Sequence, residues 1–294
     1  MSWNTRELLR RCLASLEPSA ESGLAAVWVV DNGSADGSAA MVRADFPWAT
    51  VIDADENLGY GRAVNLVAER GASAWIAAAN ADVAVEPGAL ERLLAAARQR
   101  PEIGAVAPRL QRDGAIERSV HRLPTLPATA LAWAGLAPDW DLDRARDVGW
   151  AQGAFLLIRR RAFEQVGGFD PRQWLFAEDV DLCWRLGRAG WAIRYEPAAR
   201  VLHAGAAATA QASFDRPARE LESLYGWMAR RRGWAVTRGF ALLSIGALAL
   251  RLPVFAALAE IGGERWSAKL AGSRRDLRNH RAGLRPRAVV LAYR

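Results

Sequence analysis

Cysteine is almost absent from this chain. Cys12 and Cys183 are the only two among 294 residues, and they lie far apart. That excludes a disulfide framework and makes a reducing, cytoplasmic setting the default. Histidine is nearly as scarce, with three, and no Cys-x-x-Cys spacing occurs. A zinc cluster would lack ligands. The first twenty residues are charged with a helical pattern and show no signal-peptide signature. No internal repeat is present. Lysine is represented by Lys269 alone, so the preference for arginine carries little weight.

Acid is missing from one place only. Residues 265–294 hold nine Lys+Arg and one acid, Asp276, which makes that segment +8. The whole chain is +7, so residues 1–264 sum to about −1. The basic character belongs to the tail. It suits an anionic membrane surface as well as a nucleic acid on charge alone. Nothing else in the chain supports a nucleic-acid partner, and none is expected. The composition, 51% apolar and 24% charged, is ordinary for a globular protein. The length allows one large domain or two small ones.

Leu8, Leu9, Cys12, Leu13 and Leu16 form a helical face behind Asn4-Thr5, either of which can cap it. Pro18 and Gly23 are expected to end that helix. Residues 25–30 are a continuous apolar run, the pattern of a strand buried on both faces. It runs into the polar, Gly-rich loop Asp31-Asn32-Gly33-Ser34-Ala35-Asp36-Gly37-Ser38. Further strands are expected at 50–54, 74–79 and 104–110. Helices are expected at 38–46, 62–70 and from Pro87 to about Arg100. Strand–loop–helix units in a row make an α/β fold with a mostly parallel sheet. Ligands of such sheets sit beyond the carboxyl ends of the strands. Asp31, Asn57 and Asn80-Ala81-Asp82 occupy or closely follow such ends, so they should line one crevice.

Residues 111–149 are irregular, a mobile active-site segment or a long surface excursion. A strand is expected at 153–160, helices at 161–166 and 178–189, and two short strands at 191–195 and 199–202. The last delivers His203. A helix follows at 219–232. Residues 239–261 are strongly apolar, long enough to span a bilayer at roughly 20 residues, but broken by Arg251 and Pro253. A central arginine costs about 2.5–3.5 kcal/mol on insertion scales. The favoured reading is a helix pair lying in the membrane interface, backed by the basic tail. The chain then divides into a domain at 1–218 and a membrane-associated helical segment at 219–294.

Phe176-Ala177-Glu178-Asp179-Val180-Asp181-Leu182-Cys183-Trp184-Arg185 places three carboxylates within four positions at a helix start. Acids there complement the helix dipole without further purpose, and Asp181 with Arg185 makes an i,i+4 pair. The stretch is not alone, however. Val29-Val30-Asp31-Asn32-Gly33-Ser34-x-Asp36-Gly37-Ser38 and Glu56-Asn57-Leu58-Gly59-Tyr60-Gly61-Arg62-Ala63-Val64-Asn65 precede it. So does Gly149-Trp150-x-x-Gly153, followed by Val166-Gly167-Gly168-Phe169-Asp170. Pro197-x-Ala199-x-Val201-x-His203 comes after. Over roughly residues 2–210 this order resembles the family 2 glycosyltransferases of the GT-A fold, in particular their bacterial rhamnosyltransferase-like branch.

The resemblance implies a Rossmann-like sheet and a nucleotide-diphosphate sugar donor. It places Asp31 on the base, with Asn4, Asn57, Gly59, Arg62, Asn65 and Asn80 around the donor. The family's DXD-type motif reads Asn80-Ala81-Asp82 here, which leaves Asp82 to bind Mg²⁺ or Mn²⁺, with His203 as a further ligand to the metal or to the diphosphate. A divalent cation offsets charge on the departing diphosphate and takes oxygen ligands and water. Asp179 becomes the base that takes the acceptor hydroxyl proton, and Glu178 its neighbour in the acceptor site. Asp181 stays structural, and His121 and His280 have no role. The implied activity is inverting transfer of a sugar, rhamnose among the candidates, to a lipid-linked or cell-wall glycan acceptor. The protein would be peripheral on the inner face of the plasma membrane. The alternative is a membrane-bound nucleotide-sugar-binding protein without turnover.

Two departures stand out. The family opens on a buried strand ending in a Tyr/Trp-Asn pair, and Met1-Ser2-Trp3-Asn4 keeps only its end. The native start is therefore expected several residues upstream. The loop His203-Ala204-Gly205-Ala206-Ala207 also differs from relatives, which tend to carry Gly and Ser there.

Overall fold

The structure, a computed structural model, describes residues 1–134, 136, 141–205 and 215–285. Pro138, Ala206, Ala207, Arg287 and Arg294 lie outside the described residues. The chain divides into two compact units, Met1–Leu123 with Asp141–Ser213, and Pro124–Trp140 with Phe214–Arg294.

In the first unit α1 (Arg6–Glu21) buries Leu9, Cys12 and Leu13, the expected apolar face. It runs through Pro18 rather than ending there. Pro18 sits in the last turn, where one missing N–H is tolerated, and Ser22 N–H closes the turn onto the Pro18 carbonyl at 3.1 Å. β1 (Trp28–Asp31) pairs in parallel with β2 (Thr50–Asp53) across α2 (Ser38–Asp45). α3 (Tyr60–Arg70) leads to β3 (Trp75–Ala79) and β4 (Val83–Val85). α4 (Ala89–Arg98) begins two residues after Pro87, because Gly88 adopts φ 77° and makes a turn first. β5 (Ile103–Arg112), β6 (Ala115–Ile116), β7 (Val120–His121), β8 (Arg146–Val148) and β9 (Trp150–Ala151) fill much of the irregular stretch. β10 (Phe155–Arg159) follows, then α6 (Arg160–Gln165), α7 (Glu178–Arg188) and β11 (Ala192–His203).

The main sheet runs β3-β10-β5-β11-β4, with β6 on β5 and β8 on β11. Its pairing corrects the expectation of a mostly parallel sheet. Only β5–β11 is parallel there, and β10 enters antiparallel between β3 and β5. The excursion after β5 reverses the chain direction before β10 begins. β11 is one twelve-residue strand, where two were expected. Pro197 falls at a register shift between Glu196 and Arg200, so it interrupts the pairing without ending the strand. Leu93, Ile103, Val106, Phe155 and Val201 form the core between this sheet and α4. Leu13, Val29, Val42 and Phe46 form another between α1, β1 and α2.

The second unit contains α5 (Leu126–Trp133), α8 (Arg216–Arg232), α9 (Trp234–Gly262) and α10 (Glu264–His280). α9 carries Pro253 inside it and is long and apolar enough to cross a membrane. It packs against α5, α8 and α10. Arg251 donates to the Trp133 carbonyl and lies over the Trp133 ring at 4.9 Å, so its charge is not left bare in the apolar run. His280 Nδ1 lies 2.6 Å from the Tyr225 hydroxyl. Leu242, Leu250, Val254 and Ile261 remain exposed. At 100° per residue these four fall within about 120° of one helix face.

Candidate active site

Loops at the strand ends meet through their own hydrogen bonds. Asp31 closes β1 and is buried, and its Oδ1 accepts from Ser34 N–H at 2.8 Å. Asn4, with φ 50°, braces the same loop: its Oδ1 accepts from Ala35 N–H at 2.7 Å and its own N–H donates to Ser34 Oγ. Asn32 reaches the next loop, donating to the Gly59 carbonyl at 3.5 Å. Asn57 Oδ1 accepts from Gly59 N–H at 3.0 Å, and Trp174 Nε1 donates to the Asn57 carbonyl at 3.1 Å.

Gly59 has φ 78°, and a Cβ there would stand 2.4 Å from the Trp174 carbonyl oxygen. Gly59→Ala should therefore cost about 2–4 kcal/mol through strain and overpacking. A thermal melt checks this; an unchanged melting temperature would show that the Trp174 loop yields freely. Trp174 has no motif around it, and sequence reasoning missed it.

Two expected donor contacts find other settings. Arg62 is exposed, 3.9 Å from Glu56, on a solvated helix face. Asn65 does not present its amide to a ligand. Its Nδ2 donates to the Phe169 carbonyl and its Oδ1 accepts from Phe169 N–H, both at 2.8 Å. It clamps α3 to the turn at 167–170. The Phe169 ring packs edge-on to Tyr60.

The acids at the head of α7 are presented by strained backbone. Phe176 and Ala177 both lie in the left-handed region, at φ 62° and 60°. Such a pair costs about 1–3 kcal/mol per residue and is held only by its surroundings. Gln173 helps, donating from Nε2 to the Phe176 carbonyl at 2.9 Å. The turn delivers Asp179 to Gly153, whose N–H donates to Oδ2 at 2.9 Å, while Val180 N–H donates to Oδ1 at 2.7 Å. Two N–H donors suit an ionised carboxylate.

Glu178 has the opposite setting. The residue is half-buried, yet its Oε2 is shut from solvent with no hydrogen-bond partner. Burial, and then the neighbouring Asp179, push its carboxyl well above the usual range. Two adjacent carboxyls in contrasting settings, one held by N–H donors and one shut from solvent without a partner, are the pattern of an acid–base site. Tyr60 completes the group, donating to the Gly153 carbonyl at 2.5 Å. Burial raises its phenol well above the ordinary value, with Glu178 and Asp179 adding to the rise. Asp181 is buried and paired with Arg185 at 2.7 Å, the structural role expected of it.

The same network continues to the expected metal residues. Asn80 N–H donates to the Ala154 carbonyl, one residue from Gly153. Asp82 follows and is buried. β11 brings His203 opposite Val83, with His203 Nε2 3.6 Å from Asp82 Oδ1. Glu117, which sequence reasoning missed, holds the other face of the ring: its Oε2 is 2.8 Å from Nδ1. Burial raises the Glu117 carboxyl, but His203 and Arg112 outweigh it and hold it below its ordinary value. An ionised carboxylate only accepts, so Nδ1 carries the proton and, in the neutral ring, Nε2 offers a lone pair towards Asp82.

Residues 1–167 match the family model described as "Glycosyl transferase family 2". The chain belongs to glycosyltransferase family 2. This glycosyltransferase is 37% identical over 252 residues to the N-acetylglucosaminyl-diphospho-decaprenol L-rhamnosyltransferase of Mycobacterium tuberculosis; the match covers 77% of this chain and 81% of that one. Rhamnosyltransferase WbbL of Escherichia coli is 37% identical over a shorter stretch, 29% of this chain and 32% of its own. Among solved structures it resembles the mannosyltransferase PcManGT of Pyrobaculum calidifontis, in complex with GDP-Man and Mn²⁺. There the TM-score is 0.59 at 17% identity, over 99% of this chain and 85% of that one. That likeness establishes the GT-A-like α/β fold.

For this glycosyltransferase the donor set decides what kind of cation fits. Among the described residues no group of three His, Cys, Asp or Glu converges to hold a metal. Asp82 and His203 supply one oxygen and one nitrogen. With two protein ligands, they suit a cation that takes its other ligands from phosphate oxygens and water.

Proposed function

We propose that this glycosyltransferase is an inverting enzyme. It moves a sugar of the rhamnose class from a nucleoside diphosphate to a hydroxyl on a polyprenyl-diphosphate-linked glycan. One observation carries the reading. Hydrogen bonds and short stretches of backbone link the Asp31 loop, Gly59, Tyr60, Gly153, Asp179 and Asn80, and Asp82, two residues further on, stands 3.6 Å from His203. The relative in Mycobacterium supports the substrate class by its name.

In this reading Asp31 takes the base, and Asp82 with His203 would hold Mg²⁺ or Mn²⁺, whose charge would offset that on the leaving diphosphate. Asp179, held in place by its two N–H donors, removes the acceptor hydroxyl proton as that oxygen attacks the anomeric carbon. Glu178, kept protonated, can donate to an acceptor oxygen beside it. The test is a panel of nucleoside-diphosphate sugars with Mn²⁺ and an N-acetylglucosaminyl-diphosphoryl-polyprenol acceptor. Transfer with inversion is expected. Nucleotide binding with no product from any donor would instead favour a binding protein without turnover.

The first unit would be the catalytic domain, and the second would keep it at the inner face of the membrane. The exposed stripe of α9 supports this reading, since α5, α8 and α10 cover its other sides. That arrangement suits a helix lying in the interface better than one spanning the bilayer. Leu250→Asp with Val254→Asp should abolish co-flotation with vesicles containing anionic lipid and leave the soluble fraction folded. Unchanged flotation would remove α9 from the contact.

A further inference from the structure

β7 and β9 form a two-stranded ribbon, with Val120 opposite Ala151 and His121 opposite Trp150. The ribbon is tied to two parts of the site. Ser119 N–H donates to the carbonyl of Glu117, the residue that holds His203, at 2.9 Å. The Ser119 carbonyl accepts from Gln152 N–H at 2.8 Å, and the next residue, Gly153, donates to Asp179. Val120 and Ala151 are buried, and β9 packs on α7. Alternation along the strands turns His121 and Trp150 to the other face.

There the two rings stack, with centroids 4.4 Å apart and planes at 21°. Burial, and then the charge of Arg118, push the His121 imidazole down to about 4, while a hydrogen bond to the Arg118 backbone opposes the shift. The ring under the indole is therefore neutral near pH 7. A cross-strand ring pair stabilises such a ribbon by itself, but Trp150 has more to offer. It is only half-buried, and His121 is the one ring that meets it among the described residues. Among those residues its indole N–H has no hydrogen-bond partner, and that nitrogen is not one of the side-chain atoms shut from solvent. Trp150 precedes Gly153 by three residues, so their Cα atoms are at most about 11 Å apart. A sugar touching the indole can also reach the carboxylate that Gly153 holds.

We propose that Trp150, backed by His121, is the platform on which the acceptor's sugar ring stacks, with the indole N–H donating to one of its oxygens. The inference rests on the proposed transfer to a diphosphate-linked glycan. The C–H groups on one face of a pyranose carry slight positive charge and suit the negative face of an indole. A neutral imidazole on the opposite side leaves that face available, whereas an imidazolium would engage the ring itself by cation–π attraction. A nucleobase also stacks on an indole, but in the proposed arrangement the base lies at Asp31, on the end of a different strand. Trp150 is thus a binding residue, and His121 is a positioning residue that acts through it.

The test measures binding of an N-acetylglucosaminyl diphosphate with a short prenyl chain to the full chain, by calorimetry with a nucleoside diphosphate and Mn²⁺ present. Trp150→Ala should weaken it about tenfold or more, with the affinity for the nucleoside diphosphate alone unchanged. Trp150→Phe keeps a ring and should recover part of the loss. His121→Ala should also weaken binding, and His121→Phe, which restores a neutral stacked ring, should bring it back. The prenyl diphosphate without its sugar should bind the parent and Trp150→Ala alike. Parent-like binding of the sugar probe by Trp150→Ala would overturn the proposal. So would an equal loss for the sugar-free probe or for the nucleoside diphosphate, which would put the ring on the lipid or the donor instead. A parent that binds the sugar probe through Trp150 but transfers nothing to it would remove the proposed transfer and leave the platform standing.

Discussion

Asp179→Asn should lower transfer by about 10²–10⁴-fold, the range expected for loss of a positioned base, while nucleoside-diphosphate affinity stays within about twofold. Asn keeps an oxygen for one of the two N–H donors that hold Asp179, so the turn should survive and the loss should be chemical. Glu178→Gln should behave differently. Burial favours the uncharged form of Glu178, which glutamine copies, so the rate should fall less than about tenfold.

The two variants also separate in their stability against pH. The folded-state pKa of Glu178 lies above the unfolded value. Its contribution to stability is therefore fully present below the unfolded pKa and is lost as pH rises through the folded one. Glu178→Gln should melt above the parent by a margin that widens as pH rises above the ordinary carboxylate range. A constant margin would mean that Glu178 ionises freely in the folded enzyme, and its assignment as the neutral partner would fail.

Glu117→Ala should weaken Mn²⁺ binding in the presence of a nucleoside diphosphate by about 10–100-fold, the usual cost of removing a second-sphere carboxylate from a ligating histidine. Glutamine at the same position keeps an acceptor for Nδ1 and should recover part of the loss. Asp82→Ala removes the proposed carboxylate ligand and should cost more than either. Titration calorimetry or the paramagnetic resonance of Mn²⁺ reads all three without any turnover. If Glu117→Ala binds the cation like the parent, His203 needs no orienting partner and the pair at 2.8 Å is structural only.

Residues whose sequence neighbours carried a pattern were legible; residues placed by tertiary return were not. Asp31 ends an apolar strand and Asp179 begins an amphipathic helix, so both could be located from periodicity and motif order. Glu117 lies between two short strands in a stretch without period, and only folding brings it 86 residues back to His203. Trp174 acts through its indole N–H on a loop 117 residues away. Asn65 was read as facing the donor because it sits in a motif, but a motif does not say which way an amide turns. The left-handed pair at Phe176 and Ala177 carries no glycine to announce it. β4, three residues long, was too short for any alternation to register.

β11 advances four residues, from Glu196 to Arg200, while its partner β5 advances one, from Pro108 to Arg109. Three extra residues are thereby inserted into a strand whose side chains alternate faces. The arrival of an imidazole at Asp82 is thus a matter of counting. Removing one residue from 197–199 would bring Ala204 to that place, with every active-site side chain still encoded. The bulge acts like a reading frame for the end of the strand, and the position of His203 depends on a proline six residues earlier in the same strand.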